Sequence, residues 1–183
     1  MRRFSLILLS LFAGLPSWAQ AEVERYRLNP GDQLSVSVWR EETLQQELRV
    51  LPDGSISFPL VGRVVVVGMS ADEVSAEIAR RLEQYIPEPS VSVVVGGIDG
   101  NVVYVLGKVL KPGPVVMTGQ LSVLQVLSLA GGLDKFADDD AIKVIRNRDG
   151  KQETLPVAYA DLIAARDMST NIRLQAGDTL VIP

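Results

Sequence analysis

"LNPGDQLSVSVW" runs from Leu28 to Trp39 and "LQAGDTLVIP" from Leu174 to Pro183, so one phrase, L-x-x-G-D-x-L-x-[VI], occurs near both ends of a 183-residue chain. In the first copy Pro30 pre-sets φ for the first central position of a turn, and Gly31 supplies the positive φ that a type II turn needs at the second. Beyond Asp32, the residues Leu34, Val36 and Val38 alternate with Ser35, Ser37 and Trp39, the period of a half-buried strand. The phrase therefore reads as a tight turn that launches a strand. Lys111-Pro112-Gly113-Pro114 repeats the logic between "NVVYVLG" and "PVVM", and Leu51-Pro52-Asp53-Gly54 fits a type I turn with Gly in the left-handed position. Each of these turns separates two strand-like runs, which predicts hairpins.

Two segments change to helical spacing. In "SADEVSAEIARRLEQYIP", Ser70 and Glu73 form a capping box, Val74, Ile78 and Leu82 make an i, i+4, i+8 stripe, and Pro87 is the expected stop. In "LSVLQVLSLAGGL", Ser122 and Gln125 provide the cap, Val123, Leu124, Val126, Leu127 and Ala130 a broad apolar face, and Gly131-Gly132 the end. A third helix is expected from about Tyr159 to Arg166, with Leu162 and Ile163 as its apolar side. The valine run Val64 to Val67 reads as a buried strand. The order is strands, helix, strand, then strands, helix, strands, short helix, strand. This is an α+β chain of two small sheet-plus-helix domains. The boundary falls in the "GGIDG" cluster, Gly96 to Gly100, giving residues 22–97 and 98–183. Domains this small bury little core alone, and self-association is a natural remedy.

The chain begins with Arg2 and Arg3, an apolar run from Phe4 to Leu15, Pro16, and a small-x-small site at Ala19-Gln20-Ala21. That is the pattern of a cleaved secretory signal peptide over residues 1–21, since the run is shorter than the roughly 20 residues that span a bilayer. With no cysteine in the chain, neither lipidation of the amino terminus nor a disulfide is possible. The formal charge of −4 becomes more negative once Arg2 and Arg3 leave, which argues against nucleic acid and anionic lipid as partners. The mature chain is expected to be exported and soluble.

Without histidine or cysteine, Ser-His, Cys-His and ordinary zinc chemistry are excluded. No G-x-x-x-x-G-K-[ST] or G-x-G-x-x-G motif is present, so no nucleotide cofactor is expected. Asp138-Asp139-Asp140 lacks the alternating spacing of a calcium loop and reads as a solvated loop, leaving no metal site. Asp32 and Asp178 invite a two-carboxylate hydrolase reading. Beside a glycine, however, aspartate more often holds a turn by accepting backbone N–H bonds, and nothing in the sequence tunes the two differently. No catalytic residue is assigned.

The ordered set of motifs resembles a known family. Tyr26, Pro30-Gly31-Asp32, Asp53-Gly54, Phe58-Pro59, Gly62, Gly68 and the capped helix resemble the polysaccharide export domain of bacterial outer-membrane export proteins. "VYVLGKVLKPGPV" with Gly107, Pro112 and Gly113, then Gly131-Gly132, Arg146, Gly177 and Asp178, resemble the soluble-ligand-binding β-grasp (SLBB, ubiquitin-like) domain that comes after it. The resemblance implies a periplasmic ring homo-oligomer whose cavity conducts capsular polysaccharide or exopolysaccharide. Relatives that form the outer-membrane pore carry a lipidated cysteine and a C-terminal amphipathic helix. This chain has no cysteine and stops at Val181-Ile182-Pro183. The resemblance then implies an adaptor between an inner-membrane polysaccharide co-polymerase and a separate outer-membrane protein, such as a β-barrel. The sequence leaves two rivals open: a monomeric periplasmic carbohydrate-binding protein, and a hydrolase acting through Asp32, Asp53 or Asp178.

Overall fold

The structure, a computed structural model, describes residues 25–148 and 150–183; the signal-peptide reading of residues 1–21 lies outside them. The first half holds strands β1 (Gln33–Val38), β2 (Glu41–Arg49), β3 (Ser55–Phe58) and β4 (Gly62–Val65), helix α1 (Ala71–Leu82) and strand β5 (Val91–Gly97). The second holds β6 (Val102–Gly107), β7 (Gly113–Val116), α2 (Val123–Leu129), β8 (Lys143–Arg148), β9 (Lys151–Pro156), α3 (Tyr159–Ile163) and β10 (Thr179–Ile182). Buried apolar side chains form two clusters, one running from Leu28 to Leu82 and the other from Val103 to Ile182.

In the first half β1 is the middle strand of an antiparallel sheet, β2-β1-β5, and β3-β4 is a separate two-stranded ribbon. Helix α1 closes this core because its stripe Val74, Ile78 and Leu82 is fully buried. Its start is fixed by a reciprocal box: Glu73 N–H donates to Ser70 Oγ at 3.3 Å, and Ser70 N–H to Glu73 Oε2 at 2.7 Å. Asp72 and Glu73 at its beginning and Arg80 and Arg81 at its end both favour the helix dipole.

The second half is a five-stranded sheet in the order β7-β6-β10-β8-β9, in which β10 runs parallel to β6 and antiparallel to β8. Counted within this half, the order is second, first, fifth, third, fourth, the arrangement of a β-grasp. Helix α2 packs Val123, Val126 and Leu127 into the core. The helix ends where Gly132 N–H reaches back to Leu127 O at 2.8 Å, with Gly131 and Gly132 both at positive φ. The chain is thus α+β, with a β-grasp second half.

Several expectations need correction. Of the three turns, only Lys111-Pro112-Gly113-Pro114 joins strands that pair, β6 with β7. The turn at Asn29 to Asp32 has no strand before it among the described residues, and Leu51 to Gly54 carries the chain from β2 into β3 of another sheet. The first half's two hairpins turn instead at Arg40, φ +66°, and at Leu60, φ +64°. Neither is glycine, so neither announces itself. Helix α1 ends at Leu82, well before Pro87, and a turn follows in which the Tyr85 and Ile86 N–H groups both donate to Leu82 O. Of the valines, Val64 and Val66 are buried, whereas Val65 and Val67 are exposed: β4 belongs to a ribbon with one covered face, so burial alternates. Helix α3 ends at Ile163, which is 62% exposed, and Ala165 at φ +51° ends any helical path to Arg166.

On α1, Glu77 accepts from Arg80 Nε and Nη2 at 3.0 and 2.9 Å and from Arg81 Nε at 2.7 Å. These bonds, that from Arg80 foremost, pull its carboxyl from an ordinary 4.5 to about 2. A depressed carboxylate contributes stability that is complete above the unfolded value and is lost as pH falls through the folded one. Glu77→Gln should therefore flatten the acid limb of the stability curve between pH 4.5 and about 2, measured by urea unfolding across that range.

Candidate functional site

The repeated phrase folds the same way twice. Gly31 and Gly177 sit at φ +99° and +86°. Asp32 N–H donates to Asn29 O at 3.2 Å and Asp178 N–H to Gln175 O at 3.0 Å. Each carboxylate then accepts the N–H at the head of its own turn, Asn29 N to Asp32 Oδ2 and Gln175 N to Asp178 Oδ2, both at 2.8 Å. The apolar positions match too, since Leu28 and Leu174, Leu34 and Leu180, Val36 and Ile182 are all buried.

The two turns feed different ladders. Gly31 N–H donates to Val50 O and Val50 N–H to Asp32 O, so two residues face one and the turn enters its antiparallel ladder through a glycine-led bulge. Gly177 N–H pairs with Val102 O, and Asp178 O with Tyr104 N, the offset pair of a parallel ladder. The remaining carboxylate oxygens also find different partners. Asp32 Oδ2 accepts Tyr26 O–H at 2.7 Å, and Oδ1 accepts Gly100 N–H at 2.9 Å, which ties the first half to the segment that leads into the second. Gly100 must be glycine because a Cβ there would collide with Pro30 O. Asp178 instead receives a two-pronged bond from Arg146, Nε to Oδ1 at 2.9 Å and Nη2 to Oδ2 at 2.6 Å, in a pair with almost no solvent contact. Burial and the Asp32 carboxylate push the Tyr26 phenol well above its ordinary range, so it stays a hydrogen-bond donor. The Asp178 carboxylate likewise raises Arg146.

The three carboxylates that invited a hydrolase reading are already engaged. Asp32 and Asp178 are buried, and every oxygen is engaged by a structural donor. Asp53 is at the surface, but Ser55, through its hydroxyl and its backbone N–H, and Arg63 hold its carboxyl below the usual range. An anion so held is a poor general acid at neutral pH. Among the described residues no three acidic side chains gather where a metal ion could bind, and Asp138 and Asp140 are exposed and bond within their own loop.

The other singled-out residues lie in the core or at strands and turns. Phe58 is core, Pro59 and Gly62 frame the β3–β4 turn, and Gly54 lies under Val67. Gly107 lets β6 approach β10 so closely that a Cβ would strike Ile182 O, and Pro112-Gly113 opens β7. Sequence reasoning missed the pairing of Arg146 with Asp178 and of Tyr26 with Asp32, since neither spacing is local. It also missed an open cleft of about 460 Å3, whose walls are residues 25–29 on one side and residues around Asn101, Thr118 and Gln175 on the other.

The family model described as "Polysaccharide biosynthesis/export protein" matches residues 20–96, and the SLBB domain model matches residues 101–182. The chain belongs to the polysaccharide export proteins. It is 28% identical to the "EPS I polysaccharide export outer membrane protein EpsA" of Ralstonia nicotianae, covering 86% of this chain and 47% of that one. It is 34% identical to the "Polysialic acid transport protein KpsD" of Escherichia coli over 60% of this chain and 20% of that one. It is 33% identical to the "Exopolysaccharide production protein ExoF" of Rhizobium meliloti over 69% and 32%. This export-family chain therefore spans less than half the length of these curated relatives. Among the described residues no helix is long and apolar enough to cross a membrane.

The two aspartates should respond unequally to the same change. Asp178→Asn leaves the buried Arg146 guanidinium without its anion and should cost about 3–5 kcal/mol, whereas Asp32→Asn weakens three neutral-donor bonds for about 1–3 kcal/mol. Chemical denaturation of both variants checks the order.

Proposed function

We propose that the chain is a non-catalytic wall segment of a polysaccharide export channel, in which identical copies close into a ring through the uncovered face of the second sheet. That face carries the reading. One side of the β7-β6-β10-β8-β9 sheet is packed by α2 and α3, while alternate residues point the other way: Tyr104 and Leu106 on β6, Val116 on β7, Ile145 on β8 and Val181 on β10. Tyr104 and Leu106 are 51% and 59% exposed, and Lys143 is the sole charge on this side of the five strands. The equivalent side of the first sheet is mostly polar, with Gln33, Ser35, Ser37, Glu47 and Ser92 beside the exposed Val94. A solvated sheet face is ordinarily polar, and an apolar one marks a contact surface.

The occupant that suits this face is a second copy. Strands about 4.8 Å apart, with alternate residues about 6.6 Å apart, give a face of roughly 300 Å2, well under the about 800 Å2 that each partner of a stable pair buries. An isolated dimer held this way would be weak. A closed ring is not, because releasing one copy breaks two contacts at once. The exposed side chains Leu51, Val65 and Val67 of the first half offer a different apolar patch for a head-to-tail contact.

In this reading the chain is exported by its signal peptide, sits in the periplasm at the outer membrane, and passes glycan from an inner-membrane polysaccharide co-polymerase to a separate outer-membrane protein. Its family membership supports the cargo, and the saturated carboxylates support a role without catalysis. Leu106→Lys should abolish cross-linked ladders of the chain in cell envelopes and shift glycan from the medium to the periplasm, while leaving the circular dichroism spectrum unchanged. Undiminished ladders and secretion would overturn the ring.

A further inference from the structure

An open cleft lies between the two halves. Its lining includes Arg25 and Arg27, the amides Asn29, Asn101 and Gln175, and the ring of Tyr26, but no carboxylate, in a chain whose formal charge is −4. Both arginines are held from behind by α1. Arg25 Nη1 bonds Asp72 at 2.9 Å, and Arg27 Nη1 bonds Glu73 at 2.6 Å and Gly68 O at 3.3 Å. The tether uses only Nη1 in each case, so the Nε and Nη2 donors of both side chains have no acceptor among the described residues. That pair of donors is the edge of a guanidinium that grips a carboxylate through two parallel bonds. Tyr26 is immobilised as well: its hydroxyl donates to Asp32 and accepts from Asn29 Nδ2 at 3.1 Å. What it can offer a ligand is therefore the flat ring rather than the hydroxyl.

We propose that this cleft binds an acidic saccharide of the hexuronate type, with the sugar carboxylate on the Arg25 and Arg27 forks, ring hydroxyls on the side-chain oxygens of Asn29 and Asn101 and on the Gln175 amide, and the C–H face of the pyranose against Tyr26. The inference rests on the export reading for its cargo and adds the chemical class of that cargo. The site is open and shallow, and its two cations are partly neutralised by Asp72 and Glu73, so it recognises the polymer without arresting it. Affinity is expected near the millimolar range, falling with salt.

The test is a titration of the purified full chain with oligogalacturonate and, separately, with neutral malto-oligosaccharide, monitored by amide chemical shifts. The expected result is saturable shifts at residues 25–29 and 117–120 with the acidic probe alone, weakened at least tenfold by the double change Arg25→Gln, Arg27→Gln. Both side chains are largely exposed, so the variant should fold, and its melting curve verifies this. Equal binding of both sugars, binding indifferent to the double change, or no binding of either would overturn the acidic-saccharide site. None of those results touches the ring, which stands or falls on the envelope ladders.

Discussion

A single constraint organises the chain: a buried carboxylate must have every oxygen filled, and at Asp32 and Asp178 the first claim on it comes from its own turn. Once the N–H three residues back is bonded, the glycine between is forced to positive φ and the chain leaves in a fixed direction, with the next apolar residue already facing inward. The turn settles the direction of the strand but not the neighbour it meets. The same device thus starts the middle strand of an antiparallel sheet in one half and a strand parallel to its neighbour in the other.

The second claim on each carboxylate separates the halves in purpose. Asp32 spends its other oxygen on the backbone that leaves its own half, so its bond network reaches across the junction, whereas Asp178 turns inward to a guanidinium and stiffens the β-grasp from within. Away from these two carboxylates the surface offers an apolar sheet face and a cationic, amide-lined cleft. The proposed ring contact rests on the first and the proposed saccharide site on the second.

Much of this fold is written locally. The Ser70–Glu73 box, the Val74–Ile78–Leu82 stripe and the Gly131-Gly132 stop each depend on residues within a few positions, and all three appear as spaced. The misses share another cause. Arg40 and Leu60 take left-handed φ because strand pairing on either side compels them, and no residue type signals that. Ile163 and Val65 look like core in a linear pattern, yet burial depends on which face the rest of the chain leaves uncovered. The turn role of Asp32 and Asp178 is legible from Gly and Asp side by side, but Tyr26, Gly100 and Arg146 reach them only through tertiary folding. The cleft assembles from four separate segments, and no contiguous motif encodes it.

The placement of β10 constrains how such a chain is made. It lies between β6 and β8, so the residues that complete the centre of the second sheet leave a ribosome or a translocon after all the sheet's other strands. The first half possesses all its strands by Gly97 and can close early. Its neighbour must hold β6 and β8 apart, with their inner valines wet, until the closing segment arrives, and joining partners so distant along the chain is slow. That interval is when a nascent β-grasp is most exposed to the wrong strand from another molecule, and the early-folded half, already anchored to Gly100, gives the waiting segment a fixed place to begin.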